Sequence, residues 1–87
     1  DAAPRNDVRR VVVQRDVTEI GDGVFRSWAC LEEVVFEPGS RLARIGTHAF
    51  ASTSLKKFVA PDSLRSIGEG AFAGCRKLKS VTLNEGL

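Results

Sequence analysis

A pattern that returns at nearly constant spacing limits this chain more than any other feature of it. Ile20-Gly21-Asp22-Gly23-Val24-Phe25 is matched by Ile45-Gly46-Thr47-His48-Ala49-Phe50 and by Ile67-Gly68-Glu69-Gly70-Ala71-Phe72. Each is followed by a leucine, two polar residues, an apolar residue, a spacer and another apolar residue, as Leu31/Val34/Phe36, Leu55/Phe58/Ala60 and Leu78/Val81/Leu83. The N-terminal stretch supplies this second figure once more as Val8/Val11/Val13, so its leading positions fall at 8, 31, 55 and 78. An apolar-x-x-Ile element closes each unit (Val17 to Ile20, Leu42 to Ile45, Leu64 to Ile67), and Asn84-Glu85-Gly86-Leu87 begins another. The units differ in length: two extra residues sit between Phe36 and Leu42, and one is missing between Phe50 and Leu55. Self-similarity of this kind marks a solenoid, in which one unit cannot bury its own apolar face and stability is a sum over neighbours.

The period of 23 to 24 residues lies within the range of leucine-rich repeats. The run from Ile67 through Gly74-Cys75-Arg76-Lys77-Leu78 to Leu83 resembles the repeat of the BspA-like leucine-rich-repeat proteins, the Treponema pallidum type, and the likeness covers residues 8–87. There are departures. Trp28 stands where that repeat has Cys75, Thr53 lies nearest the position in the shortened unit, and Cys30 falls elsewhere, just before Leu31. The resemblance implies a protein of a bacterial or protozoan cell surface, or a secreted one, of a kind whose members include binders of host matrix proteins.

The expected fold is an α/β leucine-rich-repeat solenoid. Its concave face is a parallel β-sheet of about four short strands, and its convex side carries short helical or 3₁₀ segments. Side chains alternate along a strand, so Val11–Val34–Phe58–Val81 and Val13–Phe36–Ala60–Leu83 stack inward. Phe25, Phe50 and Phe72 fill the interior from the convex side, and Ile20, Ile45 and Ile67 add a further stack. Residues 1–7 form an N-terminal lead-in or partial cap, and residues 8–87 an array of about 3.5 repeats that breaks off in mid-unit at Leu87. That break, and the open strand edge at Leu78–Leu83, are what a piece of a longer array presents.

The concave face is the usual contact surface of a solenoid. Its outward positions form the columns Arg10–Glu33–Lys57–Ser80, Val12–Val35–Val59–Thr82 and Gln14–Glu37–Pro61–Asn84, flanked by Arg9–Glu32–Lys56–Lys79. The candidate contact residues are Val12, Val35, Val59, Thr82, Arg10, Glu33 and Lys57. A run of solvent-facing valines marks a contact strip, or reflects only the strand-forming preference of valine. The charges alternate in sign from rung to rung, which suits weak cross-strand pairs and interrupts any basic stripe. Four strands of this length offer a face of about 240 Å², against about 800 Å² per partner in a standard interface. Strong binding therefore needs further repeats or several copies.

Other chemistry finds no support. A net charge of +2, with acids and bases interspersed, implies no nucleic acid. No apolar run approaches the roughly 20 residues of a membrane span. Gly68-x-Gly70-x-x-Ala73 matches a relaxed dinucleotide fingerprint, but its glycines recur with the repeat and Phe72 is a core position. His48, the single histidine, aligns with Gly23 and Gly70 on the convex turn, without a nucleophile set by the repeat beside it. Cys30 and Cys75 stand two rungs apart, too far for a disulfide in a regular solenoid, and suit buried free thiols. Trp28 suits core filling, with an exposed convex anchor as the other reading. No Asn-x-Ser/Thr acceptor occurs. The sequence thus points to a non-enzymatic module without metal or cofactor that binds a protein partner through its concave face. The resemblance favours an extracellular adhesion or recognition setting. The alternative is an intracellular scaffold domain using the same surface.

Overall fold

The computed structural model describes residues 6–83. Among these described residues seven short strands follow one another: β1 (Arg10–Val13), β2 (Glu19–Ile20), β3 (Glu33–Phe36), β4 (Arg44–Ile45), β5 (Lys57–Val59), β6 (Ser66–Ile67) and β7 (Ser80–Thr82). Every pairing is parallel and joins equivalent positions of adjacent units, as a chain making the same full turn each time requires. Val11 pairs with Val34 and Val13 with Phe36, while Phe58 pairs with Val81. The apolar-x-x-Ile elements form a second wall, a three-stranded sheet in the order β2-β4-β6, with Ile20, Ile45 and Ile67 in register.

The concave wall departs from expectation in one respect. Its four strands are present, but they pair as β1-β3 and β5-β7, and no ladder joins β3 to β5. The rung begins to close, with the Lys56 N–H donating to the Glu32 carbonyl at 3.3 Å and the equivalent Lys79 N–H to Lys56 at 3.0 Å. Further along, Glu37 N–H donates to the Val13 carbonyl, and the residue in the Glu37 column of the next rung is Pro61, which has no N–H to give. The two extra residues after Phe36 also bend the chain away here, through Gly39 at φ 79°.

The expected helical or 3₁₀ convex segments are not found: among the described residues the convex side is built of turns with no helix. Alternate N–H groups serve two kinds of bond. Val24, Arg26 and Trp28 donate three residues back along the chain, whereas Gly23, Phe25 and Ser27 donate to the Thr47, Ala49 and Ala51 carbonyls of the next rung. The pattern recurs one unit on, with His48, Phe50 and Ser52 donating to Glu69, Ala71 and Ala73. A helix would direct every N–H along its own chain, and here half of them tie rungs together. The alternation requires a left-handed residue at two fixed places per unit: Gly23, His48 and Gly70 at the first, and Ser27, Ser52 and Gly74 at the second, all with φ between 56° and 71°.

Phe25, Phe50 and Phe72 form a spine of near-parallel rings, with centroids 5.3 and 5.6 Å apart at interplanar angles of 9° and 4°. Phe58 reaches this spine from the concave side, 4.9 Å from Phe72. Leu31, Leu42, Ile45, Phe50, Leu55 and Leu64 are completely buried. Each contributes roughly 1.5–3 kcal/mol by leaving water. Inward stacking holds for Val34, Phe58, Val13 and Ala60. Val81 and Leu83, expected inside as well, are about half exposed, because no described rung lies over them. Residues 1–5 of the lead-in expected at 1–7, and the new unit begun at Asn84, lie outside the described residues.

Candidate protein-binding face

The concave columns are aligned as the repeat dictates. Arg10 lies opposite Glu33 and Val12 opposite Val35 on β1 and β3, and Lys57 opposite Ser80 and Val59 opposite Thr82 on β5 and β7. Arg10, Glu33, Lys57 and Thr82 are exposed and Val35 is half-buried. Val12 and Val59 stand 47% and 52% exposed, although both lie within strands. They are brought together in pairs rather than in one strip, because the wall opens between Val35 and Val59.

Electrostatics on this face is local. Arg10 meets Glu33 at 3.3 Å and Lys56 meets Glu32 at 3.8 Å, both exposed. Such pairs contribute a few tenths of a kcal/mol each and favour one rung order over another. On the second wall Arg44 bridges Glu19 and Asp22, at 2.5 and 3.6 Å.

The opening between β3 and β5 is a cleft of about 510 Å³. Val35, Val59, Glu33 and Lys57 line it from the candidate set, and it reaches inward to Val34, Phe36 and Ala60. Glu37, Pro38, Gly39, Ser40, Pro61 and Asp62 complete it. None of these last six was among the candidate residues. The sequence carried two signals for them: the length irregularity after Phe36 and a proline in a strand column. Val12, Arg10 and Thr82 stand away from the cleft.

The rejected signals take structural places. Gly46 and Gly68 stack so closely on the rungs before them that a Cβ on Gly46 would stand 2.3 Å from Asp22 Oδ1. His48 is half-buried against Gly70. Cys30 and Cys75 are unbridged, and both are half-buried rather than buried as expected. Cys75 Sγ donates to the Phe50 carbonyl at 3.1 Å and lies 3.3 Å from Thr53 Oγ1, so these two share a column. Trp28 occupies the same place in its own unit, its N–H donating to Phe25 as that of Cys75 does to Phe72. It packs edge-on to Phe25 at 4.8 Å. Among the described residues no group of three or more His, Cys, Asp or Glu is placed to hold a metal ion, and no helix is long and apolar enough to cross a membrane.

Comparison with known proteins agrees with this geometry. The family described as "BspA type Leucine rich repeat region (6 copies)" matches residues 5–87. Among solved structures, the pneumococcal vaccine antigen PcpA is similar with a TM-score of 0.83 and 27% identity, over 90% of this chain and 19% of that one. A leucine-rich cell surface protein from Faecalibacterium prausnitzii is similar with a TM-score of 0.79 and 26% identity, over 87% of this chain and 20% of the other. No curated protein sequence gives a match. The chain spans about a fifth of the length of these two proteins. The repeat, the paired parallel walls and the match over nearly the whole sequence together establish that the chain belongs to the BspA-type leucine-rich-repeat family.

Proposed function

We propose that this chain is a protein-binding stretch of a cell-surface or secreted adhesion or recognition protein, and that the partner lies on the concave face over Val12, Val35, Val59 and Thr82. The observation that carries the reading is the exposure of Val12 and Val59 at about half their surface, flanked by Arg10, Glu33 and Lys57. Apolar surface framed by charge is the composition of a contact patch, with a dry centre and a polar rim. Membership of a family of interaction repeats supports a protein partner. Likeness to a vaccine antigen and to a cell surface protein supports an outer location. The small area of four strands implies weak binding by this stretch alone, strengthened by neighbouring repeats or by several copies.

Two measurements test the reading. Antibodies raised against the chain are applied to intact, unpermeabilised cells that produce the protein. Staining removed by mild external protease supports the surface location, whereas staining only after permeabilisation moves the protein to an intracellular scaffold role. Matrix and surface proteins are then screened as ligands, with Val12→Asp and Val59→Asp as controls. A partner that binds both variants as well as the original, when both remain folded, does not use the valine columns.

A further inference from the structure

Charge is unevenly divided along the solenoid. Residues 54–83 hold six lysines and arginines against two acids, whereas residues 6–53 hold six against seven. On the concave side the early charges meet: Arg10 pairs with Glu33, and Lys56 of the next rung reaches back to Glu32. Beyond Lys56 the acids on this side run out. Lys79 follows it in the flanking column, its N–H donating to the Lys56 carbonyl at 3.0 Å, and Ser80 lies opposite Lys57. Just ahead of Lys79 the chain turns from Cys75 to Leu78, closed by the Leu78 N–H on the Cys75 carbonyl at 3.1 Å. Arg76 and Lys77 are the two corner residues of that turn. Lys57, Arg76, Lys77 and Lys79 are all exposed, and among the described residues no carboxylate comes within ion-pair distance of any of them. The two acids of this half stand elsewhere. Asp62 is on the lip of the cleft after β5, and Glu69 is on the convex turn, its carbonyl taken by the His48 N–H.

We propose that this corner, where the convex turns enter β5 and β7, binds a sulfated polysaccharide chain, with Lys57, Arg76, Lys77 and Lys79 as its contacts. The four cations belong to two rungs about 5 Å apart, which is inside the roughly 8–10 Å over which salt screens exposed charges. They therefore repel one another until an anion comes between them. Such a cluster favours a ligand that brings several anions at once, and basic runs of this composition bind heparin-like and nucleic-acid polyanions. The surrounding side chains select among these. Phe58 is buried and Phe72 packs into the aromatic spine, so no ring is offered to an unpaired base. Between Arg76 and Ser80 the single apolar residue, Leu78, is half-buried, so an acidic protein finds no dry centre for an interface. A sulfated polysaccharide needs neither, since its anions lie along the outside of a flexible chain. The site does not use the valine columns, although Lys57 borders them, and it adds a second class of ligand beside the protein partner.

The test is an NMR titration of the isotopically labelled chain with a heparin hexasaccharide at low salt. Shifts are expected at the amides of Lys57 and of Arg76 through Ser80. Affinity should fall as salt rises, with a log–log slope of about −3, from about 0.7 for each of four contacts. Lys77→Gln combined with Lys79→Gln is expected to weaken binding about tenfold or more. Arg15→Gln combined with Arg41→Gln removes the same net charge from two exposed arginines at the far end of the concave strands, and should stay within about twofold of the original. Equal losses in the two double variants reduce the effect to net charge and overturn the proposal, as do shifts that avoid Lys57 and the Arg76–Ser80 corner. Tighter binding of duplex DNA, polyglutamate or anionic lipid vesicles than of heparin at matched salt overturns it in favour of nucleic acid, acidic protein or membrane. Val12 and Val59 are unchanged in both double variants, so the concave-face reading stands or falls on its own aspartate controls.

Discussion

Gly68 lies directly against the peptide that follows Gly46: a Cβ on Gly68 would stand 2.5 Å from the Thr47 nitrogen and 2.6 Å from the Gly46 carbonyl carbon. Both partners are backbone, so no side chain can rotate away. The same rung contact bonds the Gly68 N–H to the Ile45 carbonyl at 2.7 Å, and an alanine there has to break the bond or spread the rungs. Gly68→Ala is expected to cost about 3 kcal/mol or more, in the range of severe overpacking. Gly39→Ala is the control. Its φ of 79° is left-handed, which that of Gly68 is not, but it has open space where the Cβ would go, and it should cost only the conformational penalty of about 1–2 kcal/mol. Urea denaturation of both variants checks the difference, and equal costs would remove close stacking as the reason for the Ile-Gly column.

The second left-handed position of each turn gives the opposite sign. Gly74 takes it with φ 71°, but Ser27 takes it with φ 65° and a side chain. Ser27 is exposed, and what it contributes to the rung is its N–H, bonded to the Ala51 carbonyl at 2.8 Å. Glycine keeps that bond and removes the Cβ strain, at some entropic cost in the unfolded chain. Ser27→Gly is therefore expected to raise stability by about 0.5–1 kcal/mol. A drop in the denaturation midpoint would mean that the serine makes a contact worth more than the strain.

The repeat made the stacking order readable before any coordinates, because every inward column is a fixed distance along the chain. The Phe25–Phe50–Phe72 spine, the isoleucine register and the pairing of Val12 with Val35 all follow from that periodicity. The turns on the convex side did not, because Phe25 needs only to point inward, and both a 3₁₀ segment and an alternating turn achieve that. The signal for turns lay at Gly23 and Gly70, which supply φ above zero, but His48 and Ser52 fill equivalent places without looking like turn residues. The gap in the concave wall was marked by Pro61 and by the extra length around Pro38-Gly39. A column count treats both as tolerated variation, whereas a main-chain hydrogen-bond count finds a missing donor at Pro61. Exposure of Val81 and Leu83 depends on what covers the last described rung, which an alternating pattern alone does not encode.

Phe50 is the centre of the spine, and its removal tests how far stability is shared along the solenoid. It is completely buried, between Phe25 on one rung and Phe72 on the next. Phe50→Ala is expected to cost about 3–5 kcal/mol. That is a large part of the roughly 4–13 kcal/mol available to a chain of this size, so circular dichroism should show a largely unfolded chain at 37 °C. Phe25, half-buried at the first rung, loses contact on one side only, and Phe25→Ala should cost about 2 kcal/mol and leave a cooperative transition. Similar costs at the two sites would mean that the rungs do not share their stability through the aromatic stack.

Pro61 is the residue on which the open concave wall depends most directly. In its column Glu37 donates to Val13 at 3.1 Å, and a residue with an N–H at position 61 has the corresponding acceptor, the Phe36 carbonyl, across the cleft. Pro61→Thr supplies that donor together with a side chain suited to a strand. If the missing N–H holds β3 and β5 apart, the new amide at position 61 becomes protected from hydrogen exchange. Stability then rises by about 1 kcal/mol, the net value of one hydrogen bond, offset in part by the lost rigidity of proline. An unprotected amide at position 61 assigns the gap instead to the two extra residues after Phe36. Shortening the Pro38-Gly39 loop is then the substitution that shuts the wall.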